Sequence, residues 1–147
     1  MIEADALRPT SAYSGNLYSR EYFDLLRRHL KPGGLVVQWE PSLRTRATVL
    51  SAFPHVLGFR ALLIASDAPI PWDPAVVRAR MQDAFTGSFY RRGHVDIAAL
   101  IEREILSQQP TVYGPSSDRS TTDINLDLFP RDEYLVGASF RPGHAGP

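Results

Sequence analysis

The chain has 147 residues, 44% of them hydrophobic and 22% charged, the profile of one ordinary globular domain. Sixteen basic and sixteen acidic side chains cancel, which argues against a sequence-independent nucleic-acid binder. The absence of cysteine excludes disulfides, thiolate zinc sites and cysteine nucleophiles, and no apolar run approaches the roughly 20 residues of a membrane span. Met1-Ile2-Glu3-Ala4-Asp5 does not read as a signal peptide, so a cytoplasmic location is expected.

Residues 2–6 read as the tail of a strand, followed by a loop of Pro, Thr, Ser and Gly over 8–16. Ser19 is placed to cap a helix, and Glu21 suits its first turn. Tyr22, Phe23, Leu26 and Leu30 fall on one face of that helix, with Asp24, Arg27 and Arg28 largely opposite. Pro32 ends it, Gly33 and Gly34 turn the chain, and Leu35-Val36-Val37-Gln38-Trp39 reads as a strand covered on both sides. A second helix is expected through Leu43, Ala47, Leu50 and Phe53. The β-rich run 56–66 is one bent strand or two short ones, because Gly58 interrupts it.

Asp73-Pro74 opens a third helix, with Val77, Met81, Ala84 and Phe85 as its stripe. Asp96 opens a fourth, with Ile97, Leu100, Ile101 and Ile105 inside. Residues 110–131 carry no periodic pattern, and a short strand is expected near 133–140. Three regions result: an α/β part over 1–72, a helical extension over 73–109, and a loop, strand and tail over 110–147.

Two residues stand at strand ends where open α/β sheets hold their ligands. Asp5 either orients an amine or caps its own loop, and Gln38 either binds a polar substrate or supports loop backbone. Asp123, Asn125 and Asp127 match the opening of a calcium loop. The pattern then fails, with Leu128 in place of Gly and Tyr134 in place of the bidentate Glu, so the Asp residues read as N-caps. His29, His55, His94 and His144 lack ligand spacing, and no metal site is expected. Arg27, Arg28, Lys31, Arg44 and Arg46 read as a solvated helix face.

The stretch "ADALRPTSAYSGNLYSREYFDLLRRHLKPGGLVVQWEP" resembles the segment of spermidine synthases, polyamine aminopropyltransferases, that runs from sheet strand four through strand five. "VLSAFPHV", "LLIASDAPIPWD" and "INLDLFPRDEYLV" are similar to parts of bacterial spermidine synthase-like proteins. "LKPGG" before a β run is shared by most class I methyltransferase folds, whereas "NLYSREYF" and "FPRDEY" are more specific to the aminopropyltransferase group. The likeness covers residues 1 to about 66 and about 123 to 136.

The resemblance implies a partial Rossmann-like, class I methyltransferase fold: a C-terminal half-sheet of order 4-5-7-6 with extra C-terminal helices. It implies transfer of an aminopropyl group from decarboxylated S-adenosylmethionine to putrescine. The family's cofactor-binding first half has no counterpart in these residues. The chain alone is therefore expected to bind no cofactor and to be inactive, or to be a non-catalytic interaction protein or a methyltransferase-like enzyme of other substrate. Its expected partners are a polyamine or other small amine, and either a second copy of itself or a separate chain carrying the missing half. Asp5 matches the first carboxylate of the family's D-x-x-D-P loop, and Gln38 matches a Gln that places the polyamine. Arg8 stands where the second, catalytic carboxylate belongs, and a guanidinium cannot serve as that base.

Overall fold

A computed structural model describes residues 1–4 and 8–134. The chain forms two compact units: Met1–Ile70 with the chain from Thr111 onward, and Pro71–Pro110.

The first unit is a mixed α/β structure on a five-stranded sheet. Its strands are β1 (Ile2–Ala4), β2 (Val36–Trp39), β3 (His55–Gly58), β4 (Leu62–Ser66) and β5 (Thr111–Tyr113). They lie in the order β1-β2-β4-β3-β5. β1 and β2 run parallel, β4 runs antiparallel to both β2 and β3, and β3 is antiparallel to β5. The run 56–66 is thus two strands in a hairpin. Asp5 and Ala6, read as the end of the first strand, lie outside the described residues.

Helix α1 (Arg20–His29) forms where the sequence places it. The Ser19 side chain accepts from Tyr22 N at 3.1 Å, Glu21 sits in the first turn, and three basic residues complement the last turn. The chain then turns at Gly33, whose φ of +70° is the left-handed region that glycine enters without strain. Helix α2 (Leu43–Ala52) starts at a Ser42 cap that the sequence reading passed over.

Phe23 of α1 and Val49, Leu50 and Ala52 of α2 join Val36, Val56, Leu63 and Ala65 of the sheet in one core, which Phe53 closes. Both helices therefore pack on the sheet face that carries Val36. On the opposite face Val37, Trp39, Leu62 and Ile64 are only half-buried, so β2 is less fully covered than its apolar run predicts.

The segment after Pro110 is far from a plain loop. Thr111–Tyr113 adds a strand, and Arg131–Tyr134 is a short helix, α6, where Glu133 and Tyr134 were expected to begin a strand. Residues 135–140 of that expected strand lie outside the described residues. The Glu133 carboxylate accepts from Tyr13 N at 3.0 Å and Gly15 N at 3.2 Å, which pins the loop between β1 and α1. A Cβ on Gly15 would lie 2.5 Å from Pro130 Cβ and 2.8 Å from Glu133 Oε2. Gly15→Ala should therefore cost about 1–3 kcal/mol in urea unfolding, the usual range for overpacking. A change below experimental error would mean the two segments are not clamped together.

The second unit holds helices α3 (Pro74–Gln82), α4 (Ala84–Arg92) and α5 (Ile97–Ile101), the last continuing as a wider turn over Glu102–Leu106. The single helix expected through Phe85 is two. Asp83 leaves helical geometry, and its carboxylate accepts from Phe85 N and Thr86 N, which starts a new helix.

Candidate functional site

The carboxyl ends of the parallel pair β1 and β2 sit side by side, because Ala4 pairs with Gln38. Asp5 follows Ala4 in the chain but lies outside the described residues, so the structure brings Gln38 alone of the two candidates to this edge. Gln38 is wholly buried. Its Nε2 donates to Trp39 O at 2.9 Å, which fixes the amide orientation. Its Oε1 has no donor among the described residues.

Glu40, two residues further on, is also buried, and the sequence reading missed it. One carboxylate oxygen, Oε1, lies 2.5 Å from the Arg46 guanidinium. The other, Oε2, has no partner among the described residues. Burial pushes the Glu40 carboxyl up, and the hydrogen bond and charge of Arg46 offset only part of that. Burial acts to lower Arg46, but Glu40 and Tyr113 outweigh it and the guanidinium ends raised. The two shifts pull opposite ways on one pair. Arg46 is charged throughout the accessible range either way, so the pair's pH response is that of Glu40.

A carboxyl raised in the folded state above its ordinary 4.5 adds stability that is full below that value. That contribution is lost as pH rises through the folded value. Glu40→Gln lacks this contribution, so its stability relative to the parent should improve as pH rises from 4.5 through the folded value. Thermal unfolding across that range checks it, and a constant offset between the two proteins would contradict the burial of Glu40.

Both unpartnered atoms, Gln38 Oε1 and Glu40 Oε2, are acceptors. A buried polar atom left without a partner costs about 1–3 kcal/mol, so such atoms usually mark a bound water, ion or ligand. One of the two is on a carboxylate, and each suits an N–H or O–H donor. Arg8 is exposed, and its guanidinium has no ion-pair partner among the described residues. Its carbonyl accepts from Ser14 Oγ at 2.6 Å.

The acidic stretch near the C-terminus does structural work. Asp132 is buried and accepts from Ser42 Oγ at 2.6 Å and Asn125 Nδ2 at 3.0 Å, and its other oxygen pairs with Arg44 Nη1. Arg44 also donates to both oxygens of Asp123, at 2.8 and 3.1 Å. Burial acts to lower Arg44, but the two carboxylates outweigh it and its pKa ends raised. The Arg44 hydrogen bond, helped by Arg131, holds Asp123 below the usual carboxylate range. Asp123 and Asn125 are thus committed to the fold, and no group of three potential metal ligands occurs among the described residues.

The five basic residues are likewise no uniform solvated face. Arg44 is buried, Arg46 pairs with Glu40, and Arg27 holds Asp67 and donates to Ala52 O at 2.9 Å. No family model matches the chain, and no curated protein matches it closely enough to count as a relative.

Proposed function

We propose that the chain is spermidine synthase-like and that the carboxyl end of the β1–β2 pair holds an amine. The observation that carries this reading is the pair of buried acceptors, Gln38 Oε1 and Glu40 Oε2, without donors among the described residues, at a sheet edge of the kind that receives ligands in open α/β folds. The strand order supports it: β1-β2-β4-β3 corresponds strand for strand to the half-sheet 4-5-7-6, with β5 added outside β3. The motif likeness of "NLYSREYF" and "FPRDEY" supports it as well.

In the aminopropyl transfer of that family, the amine nitrogen forms a bond to the aminopropyl carbon. The carbon–sulfur bond breaks with its electron pair going to sulfur, and the nitrogen gives up a proton. In this reading Gln38 orients the nitrogen and Glu40 receives the proton. A carboxyl raised by burial is better matched to that task than an exposed one. The resemblance gives Asp5 a share in orienting the amine.

Arg8 opposes a diamine. At about 4 Å two like unit charges repel by roughly 1 kcal/mol in water and about 4 kcal/mol at an effective dielectric of 20. Calorimetric titration of putrescine into the parent chain, Arg8→Asp and Arg8→Asp/Gln38→Leu should show affinity rising about tenfold or more in the first variant and falling back in the second. Putrescine affinity indifferent to both substitutions would dismiss the reading.

A further inference from the structure

We propose that a cleft in the second unit binds a small zwitterion with an apolar side chain, the chemistry of a free aliphatic α-amino acid. The cleft holds about 300 Å³, and Met81, Gly87, Arg91, His94, Asp96 and Ile97 are among the residues that line it. That volume stands at the lower end of small-molecule sites, which favours a ligand of single-amino-acid size over a peptide. The Arg91 guanidinium is folded back over Gly87: a Cβ on that glycine would lie 2.9 Å from Nη1 and 3.5 Å from Cζ. Gly87 is buried inside α4, where glycine weakens a helix, and its missing side chain is the seat of the cation.

The end of α4 carries a second local cost. Val95 N donates to Tyr90 O and His94 N to Arg91 O, both at 3.0 Å, the paired bonds that close a helix. The left-handed position of such a turn usually falls to glycine, yet Gly93 has a φ of −88° and His94 takes the φ of +57°. A side chain kept where the backbone disfavours one signals a use for it, and His94 borders the same cleft as Arg91. Asp96 lines that cleft too, and its Oδ1 accepts from Ala99 N at 3.0 Å. Arg91 and Asp96 share the cleft without an ion pair to each other or to any other described residue. Two charges left apart in one cleft call for both opposite charges on one ligand: a carboxylate for the planar guanidinium and an ammonium for Asp96. The half-buried Met81 and Ile97 offer apolar surface to the rest of it. A plain carboxylate would leave Asp96 unanswered and a plain amine would leave Arg91 so, and the zwitterion fits better than either.

The test titrates the 15N-labelled whole chain with L-leucine, with 4-methylpentanoate, which lacks the ammonium, and with isoamylamine, which lacks the carboxylate. The backbone amides of Gly87 and His94 should shift saturably with leucine, and each analogue should bind about tenfold or more weakly. Gly87→Ala should weaken leucine by a similar factor, because the added Cβ displaces the guanidinium. Alanine is the better helix former, so loss of the fold does not account for that result. Asp96→Asn, which keeps the helix cap, should weaken leucine likewise. The proposal is overturned if saturating leucine moves neither amide, or if 4-methylpentanoate or isoamylamine binds as tightly as leucine. It is also overturned if leucine affinity is unchanged in Gly87→Ala or in Asp96→Asn.

Discussion

Asp132→Ala should cost about 3–5 kcal/mol, the range for removing one partner of a buried ion pair. The reason is what stays behind. Arg44 keeps its charge inside the protein, with Asp123, half open to water, as its remaining carboxylate. Ser42 Oγ and Asn125 Nδ2 lose their acceptor together. Asn125 also ties Thr48 to this network, through its backbone N–H at 3.0 Å, and its carbonyl receives Arg20 N at 2.9 Å. One carboxylate therefore holds the chain after Thr121 against the starts of both α1 and α2. Urea unfolding measures the loss, and a value under about 1 kcal/mol would mean the segment is only loosely docked.

Arg119→Ala is the second large effect, expected at about 1.5–3 kcal/mol, the range for hydrogen bonds to a charged group. The Arg119 guanidinium donates to Phe53 O at 2.7 Å, Pro54 O at 2.8 Å and Gly114 O at 2.9 Å, and also to Leu50 O. Two of these carbonyls, Leu50 and Phe53, belong to the last turn and cap of α2, where a cation also meets the negative end of the helix dipole. A lysine has a single point of charge and cannot serve four carbonyls from one plane, so Arg119→Lys should recover only part of the loss. Full recovery by Lys in thermal unfolding would reduce the interaction to charge alone.

Both side chains lie in stretches that carry no hydrophobic period, and this marks the boundary of what the sequence made legible. α1, β2 and α2 could be read because local signals agreed: the Ser19 cap, the apolar face from Tyr22 to Leu30, the Pro32 stop and a short β-branched run. β5 was invisible because three residues, Thr111-Val112-Tyr113, are too few to display alternation, and their partner β3 lies more than fifty residues away. The break between α3 and α4 was missed because the apolar spacing of Met81, Ala84 and Phe85 continues across Asp83. That residue's cap chemistry overrode the spacing. Asp132 looked like an ordinary helix cap, and its burial depends on Arg44, eighty-eight positions earlier.

The site was half legible. Gln38 drew notice as a polar residue at the end of an apolar strand. Glu40 carries the same signal two positions on, where the alternation of an extended chain keeps a side chain on the core side. It was passed over because the chain leaves the strand there. The pairing of Ala4 with Gln38 also required the sheet, since nothing local in either segment fixes their register.

The central claim is that the unpartnered Gln38 Oε1 and Glu40 Oε2 receive an amine. The most direct measurement is the side-chain amide resonance of Gln38 in the 15N-labelled Arg8→Asp chain during titration with putrescine, with a dicarboxylate of similar length as the control. The amide pair should shift saturably with the diamine, stay still with the dicarboxylate, and lose its response in Glu40→Gln. A Gln38 amide that does not move at saturating putrescine, or that moves equally with the dicarboxylate, would contradict the account.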